Sequence, residues 1–140
     1  MTLNLKTSTA TIEHSIKLAS GTVIPSYDLK YETYGKLNKD KSNAVLICHA
    51  LSGNHHAAGK YDNEDKHGWW NNMIGPGKPI DTDSLYVVCL NNIGGCHGST
   101  GPNTKDKKTG KYFGMSFPIV TVSDWVNTQK SLMDYLKIPK

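Results

Sequence analysis

No apolar stretch in this 140-residue chain approaches the ~20 residues that span a bilayer as a helix. No membrane partner is expected. Met1 to Leu18 contains no apolar core of the kind a secretory signal needs. Cysteine is scarce and odd in number, with three residues at Cys48, Cys89 and Cys96. Each lies in or beside an apolar run, which suits reduced thiols in a cytoplasmic protein better than a disulfide framework. The chain has neither an H-E-x-x-H nor a Cys-x-x-Cys spacing. His49, His55, His56, His67 and His97 therefore predict no metal site, and His55 and His56 are expected to line a polar pocket or face solvent. Gly77-Lys78 is no phosphate loop, because Pro79 stands where Ser or Thr is required; Gly110-Lys111 fails in the same way. There is no internal repeat and no low-complexity segment.

What is present is moderate. Hydrophobic residues make up 37% of the chain and the formal charge is +4. Lys105, Lys107, Lys108 and Lys111 cluster in a Gly/Asn/Thr loop without a stacking platform or reading helix, so they read as a solvated loop and not a nucleic-acid surface. Ser15 to Leu18 and Tyr27 to Tyr34 alternate apolar and polar residues, which predicts strands with one wet face, joined hairpin-fashion through Gly21 and Pro25. Gly35 to Ser42 is a polar turn. Residues 44–48 and 85–90 are short continuous apolar runs, which predict strands buried on both faces. Trp69 to Ile74 predicts one or two helical turns, stopped by Gly75-Pro76-Gly77. Residues 91–114 form a long loop dense in Gly and Asn, a length that usually signals function.

One long helix is expected over about 122–136. Thr121 caps it and Asp124 completes a capping-box spacing. Val122, Val126, Gln129, Met133 and Leu136 share the face expected to pack on a sheet, with Trp125 and Leu132 flanking. The fold class is α/β, with core strands and helix over about 12–138 of a single domain spanning residues 1–140.

Chemistry concentrates where the run Asn43 to Cys48 meets His49-Ala50-Leu51-Ser52-Gly53. Open α/β sheets place ligand sites at the C-terminal ends of their strands. The run resembles the third strand and oxyanion loop of an α/β-hydrolase fold, in which the loop donates a backbone N–H to the oxyanion. Leu51 N–H takes that role, with His49 fixing the loop; the alternative is a simple strand end. Gly94-Gly95-Cys96-His97-Gly98 formally fits a nucleophile elbow with Cys96 at its centre. Such an elbow needs a helix directly after it, and Ser99-Thr100-Gly101-Pro102 starts one poorly.

Taken in order, Tyr31-Glu32-Thr33-Tyr34-Gly35, Asn43 to Gly53, His55 to Gly59, Gly68-Trp69-Trp70-Asn71, Ile74 to Thr82, Gly94-Gly95-Cys96, Gly98 to Pro102 and Phe117-Pro118 resemble the homoserine O-acetyltransferase family. That resemblance covers nearly the whole chain from about residue 12. It implies the N-terminal part of an α/β-hydrolase fold: a mixed sheet, its first strands plus one long helix, incomplete without downstream strands. It also implies a Ser-His-Asp triad, ping-pong acyl transfer from acetyl-CoA or succinyl-CoA to L-homoserine in methionine biosynthesis, no tightly bound cofactor, and a cytoplasmic homodimer. Carried over, it puts Leu51 N–H in the oxyanion hole and Ala50, Ser52, Gly53, Gly95 and Cys96 near substrate.

The family's Gly-x-Ser-x-Gly elbow follows the strand after the helix, so the triad is expected beyond Lys140 and this chain alone is expected to be inactive. Strand 44–48 is then expected to expose an edge that a missing strand would cover. Three functions stay open: part of a homoserine O-acyltransferase of unresolved donor, a Cys96-dependent hydrolase, and a non-catalytic short product that binds a longer partner.

Overall fold

The computed structural model describes residues 3–139; Met1, Thr2 and Lys140, the ends of the expected 1–140 domain, lie outside the described residues. In chain order the strands are β1 (Leu5–Ile12), β2 (Ile16–Lys17), β3 (Val23–Ile24), β4 (Tyr27–Tyr34), β5 (Ala44–Ile47), β6 (Ile74–Gly75), β7 (Ile80–Asp81) and β8 (Tyr86–Leu90). A 3-10 turn at Gly114–Ser116 and the helix α1 (Val122–Tyr135) follow. The main sheet runs β1-β4-β8-β5. It is mixed: β8 is antiparallel to β4 and parallel to β5. The chain divides into two compact units. Of the described residues, one holds 3–8, Tyr31–Leu90 and 138–139; the other holds Thr9–Lys30 and Asn91–Lys137.

In the first unit, register decides which side chains share a face. Tyr34 pairs with Val87 and Glu32 with Cys89; across the parallel pair, Val45 matches Val87 and Ile47 matches Cys89. Cross-strand partners point to the same side. Tyr34, Ile47, Val87 and Cys89 accordingly form one buried cluster with Ala57, Ala58 and Ile74. β8 has partners on both sides and is buried from Val87 to Leu90, as its apolar run predicts. β5 carries an equally apolar sequence but stands last in the strand order. Ala44, Val45 and Leu46 are only half-buried, so the expected two-faced burial fails for want of a neighbour on that side.

Trp69 to Ile74 does not become helical. Met73 N–H and Ile74 N–H bond to Trp70 O as turns, and the chain then enters β6, paired in parallel with β7. Tight packing explains the Gly-Trp-Trp run: a Cβ at Gly68 would collide with the backbone of Ala57 and Ala58.

In the second unit, β2 closes on β3 (Ile16 opposite Ile24, Lys17 opposite Val23), so the expected hairpin from 15–18 to β4 is replaced by a tighter one through Gly21 at φ +88. β1, a strand absent from the sequence expectations, lies beside β4 in the sheet. Helix α1 begins as its sequence predicts. Asp124 N–H reaches Thr121 Oγ1, and the Asp124 carboxylate accepts from Thr121 N–H at 2.8 Å. Its other oxygen accepts Ala19 N–H at 2.9 Å. The buried face is not the expected one: Asp124, Thr128 and Leu132 are buried, while Val122 is 68% and Val126 56% exposed. Polar groups with partners in reach turned the helix, because Asp124 caps through its buried oxygens and Trp125 Nε1–H donates to Ile93 O at 3.0 Å.

Candidate active site

Strand β5 ends at Ile47 and the chain turns at once. Gly53 N–H donates to Ala50 O at 2.8 Å, closing Ala50-Leu51-Ser52-Gly53 as a four-residue turn. The His49 ring Nδ1 lies 2.7 Å from the same carbonyl, so His49 fixes the turn from its strand side. The Leu51 side chain is 85% exposed, and its N–H meets no acceptor among the described residues. Ala50 and Ser52 are exposed beside it and Gly53 is half-buried. A Cβ at Gly53 would press on His49 Cβ at 2.9 Å, which is why this corner needs glycine.

The stem beyond Gly53 is heavily tied. Asn54 Oδ1 accepts His56 N–H at 2.8 Å, and Asn54 O accepts Trp69 Nε1–H at 2.9 Å. Cys89 Sγ lies 3.8 Å from the same carbonyl. Burial first, then the nearby Glu32 and Cys48, push the Cys89 thiol up to about 12, so it stays protonated and inert as a nucleophile.

Beneath the stem sits Glu32, fully buried. One carboxylate oxygen accepts Thr7 Oγ1–H at 3.0 Å and the Tyr61 hydroxyl. The other accepts the Tyr34 hydroxyl at 2.5 Å and His56 Nδ1–H at 3.0 Å. His55 Nε2 stands 3.9 Å away. Tyr34 in turn accepts the N–H groups of Ala57 and Ala58 at 2.8 and 3.2 Å. Burial, reinforced by the carboxylate, holds both tyrosine hydroxyls well above their ordinary range, so they remain donors. Neither histidine faces solvent as one sequence expectation had it: His55 is buried and His56 stacks on Tyr61 at 4.1 Å. Among the described residues no group of three His, Cys, Asp or Glu is placed to hold a metal ion. Alternation had assigned Glu32 to a wet face. No local signal marks it as buried, because the covering segment lies more than twenty residues on.

In the second unit, Gly95 and Cys96 sit in a separate turn. Gly94 N–H bonds to Thr100 O at 2.8 Å and Gly95 N–H to Asn92 O at 3.1 Å. Cys96 is exposed, its carbonyl held by Asn103 Nδ2 at 2.9 Å. Turns follow it as far as the 3-10 turn at Gly114, so Cys96 has no helix behind it. Asn91, at the end of β8, buries a side-chain Nδ2 with no acceptor among the described residues, a feature that sequence reasoning missed.

No family model matches the chain. Over 123 residues it is 61% identical to a homoserine O-succinyltransferase of Hydrogenovibrio crunogenus, a match covering 88% of this chain and 32% of that protein. It is 62% identical over 131 residues to the homoserine O-succinyltransferase of Pseudomonas syringae pv. tomato, covering 93% and 35%. Among solved structures it is similar to esterase E22 (TM-score 0.87, 38% identity, 97% of this chain and 39% of that one) and to homoserine O-acetyltransferase from Bacillus anthracis (TM-score 0.86, 35% identity, 96% and 37%). The chain spans about a third of the length of the curated relatives it matches. Its fold is part of an α/β-hydrolase fold.

Proposed function

We propose that this chain carries the oxyanion turn of a homoserine O-acyltransferase, an enzyme that moves an acyl group from acyl-CoA to the hydroxyl of L-homoserine. The observation that carries the reading is Leu51: an N–H with no acceptor among the described residues, on a closed turn, at the C-terminal end of a parallel strand. When a serine attacks the thioester carbonyl, a carbon–oxygen bond forms and negative charge gathers on the former carbonyl oxygen. An N–H already aimed there stabilises that charge by about 3 kcal/mol. The carbon–sulfur bond then breaks, CoA leaves as the thiol, and the homoserine hydroxyl takes the acyl group in a second step. Ala50, Ser52, Gly53, Gly95 and Cys96 are the residues we place at substrate. The 140 residues contain no Gly-x-Ser-x-Gly, so the acyl-bearing serine, with its His and Asp, would be supplied from outside them.

Succinyl-CoA is the favoured donor, because the relatives at about 61% identity bear the succinyltransferase name while the acetyltransferase structure shares 35%. A cytoplasmic homodimer without a bound cofactor belongs to the same reading. A second reading, hydrolysis of an ester with water as acceptor, is favoured by the 38% identity to esterase E22.

The test uses protein tagged at Met1 in its source cells and isolated as it occurs there. CoA release is followed with succinyl-CoA or acetyl-CoA, with and without homoserine. Homoserine-dependent release is expected, faster with succinyl-CoA. Release indifferent to homoserine supports the esterase; none with either donor refutes both.

A further inference from the structure

Glu32 is more elaborate than the first unit's packing requires. Its face of β4 continues an apolar surface with Tyr34, Val87 and Cys89, where an apolar residue would fill the space without a buried charge. Replacing buried ionic groups with well-packed apolar ones is often neutral or stabilising. Here a single side chain instead collects donors from three separate places: Thr7 on β1, Tyr34 on β4 itself, and His56 and Tyr61 from the segment after β5. Every one of these donates, and a carboxylate is the side chain with acceptor capacity on both atoms. Two of the four reach into the segment 54–61, and a third, Tyr34, holds that segment's backbone through Ala57 and Ala58 N–H.

The turn upstream has little of its own to hold it. Ala50, Leu51 and Ser52 are exposed, and the turn is closed by one backbone bond and the His49 ring. Its downstream anchor is Asn54, whose side chain binds the N–H of His56, the residue whose ring binds Glu32. The path from carboxylate to turn is thus Glu32, His56, Asn54, Gly53, with a hydrogen bond or a peptide link at each step.

We propose that Glu32 is a positioning residue: its carboxylate clamps segment 54–61 and thereby sets the orientation of the Ala50–Gly53 turn and the aim of Leu51 N–H. The assignment of that N–H to an acyl-transfer oxyanion rests on the reading above; the clamp itself does not.

Glu32→Gln keeps the size and replaces one acceptor with an NH2 that faces existing donors. Amide hydrogen exchange on the full chain, read residue by residue by mass spectrometry, should then accelerate about tenfold at Gly53, whose N–H closes the turn, and across the hydrogen-bonded amides of 54–61, while β8 residues 87–90 keep their protection. Where that variant fails to fold, Tyr61→Phe removes one donor and leaves three; it should give the same pattern at about threefold. Acceleration confined to 54–61, with Gly53 unchanged, overturns the proposal, as does an equal rise in β8. In the tagged protein isolated from its source cells, Glu32→Gln should lower kcat about tenfold or more with the KM for homoserine within about twofold, the split a mis-aimed oxyanion donor produces. Accelerated exchange at Gly53 in protein that transfers no acyl group refutes the enzymatic reading and upholds the clamp.

Discussion

Removing the Asp124 carboxylate should unfasten the second unit at one point. Asp124 is 1% exposed and takes three bonds: Ala19 N–H at 2.9 Å, Thr121 N–H at 2.8 Å and Thr121 Oγ1–H at 2.9 Å. Bonds to a charged acceptor contribute ~1.5–3 kcal/mol each when buried. Ala19 and Thr121 are exposed residues, so water replaces part of what their N–H groups lose. A negative charge in the first helical turn adds ~0.3–1 kcal/mol. The expected loss for Asp124→Ala is therefore about 2–4 kcal/mol. Thr121→Ala, which keeps both backbone bonds to the carboxylate, should lose only ~1 kcal/mol.

The assay is urea unfolding followed at 222 nm, where α1 is the α-helix among the described residues. A pH series adds a second constraint. Burial alone would raise the Asp124 carboxyl, but the hydrogen bonds from Thr121 and Ala19 outweigh it and hold it below the ordinary carboxylate range. A depressed folded-state value means stability present above the unfolded value of ~3.9 and lost as pH falls through the folded one. Wild type and Asp124→Asn should thus differ at neutral pH, and the gap should narrow as pH falls below the unfolded value. A loss under ~0.5 kcal/mol for Asp124→Ala, the size of an ordinary surface change, would refute the reasoning. So would a gap to Asp124→Asn that does not narrow in acid.

Leu132→Ala, at a fully buried helix position, should cost ~2–5 kcal/mol in the same assay, whereas Val126→Lys should stay within ~0.5 kcal/mol. The reverse order would restore the helix face expected from sequence. Gly68→Ala should cost ~1–3 kcal/mol in urea unfolding followed by Trp fluorescence, because the added Cβ meets backbone that cannot move aside. Iodoacetamide at pH 8 should label exposed Cys48 and Cys96 while Cys89 reacts only in denaturant; peptide mass mapping with Cys89 labelled in the folded protein would contradict its burial and its raised thiol. Leu51→Pro removes the N–H while Pro suits the second position of a turn, so in the isolated tagged protein kcat should fall ~100-fold or more with folding intact. Unchanged turnover would remove Leu51 from the chemistry.

Features set by neighbours in sequence were legible. The capping box at Thr121 and Asp124 needs only three residues of spacing, and the Ala50–Gly53 corner needs small residues at the end of an apolar strand. The apolar run 85–90 predicts a strand buried on both faces, and β8, with a neighbour on each side, is buried from Val87 to Leu90. β5 has the same kind of run, but its exposure depends on where the sheet stops, and no residue within β5 reports that.

The amino-acid sequence by itself determined the local elements: strand β4, strand β8, the helix start, the turn after β5 and the absence of a helix behind Cys96. These rest on backbone sterics, capping and side-chain alternation, which act over a few residues. Tertiary structure alone decided that α1 buries Asp124, Thr128 and Leu132 in place of its valines, and that Glu32 lies in the dark beneath segment 54–61. The physical reason is the same in both cases. A polar side chain can be buried wherever distant residues bring it enough partners, and those partners (Ala19 for Asp124, Tyr61 and His56 for Glu32) come from chain far away in sequence.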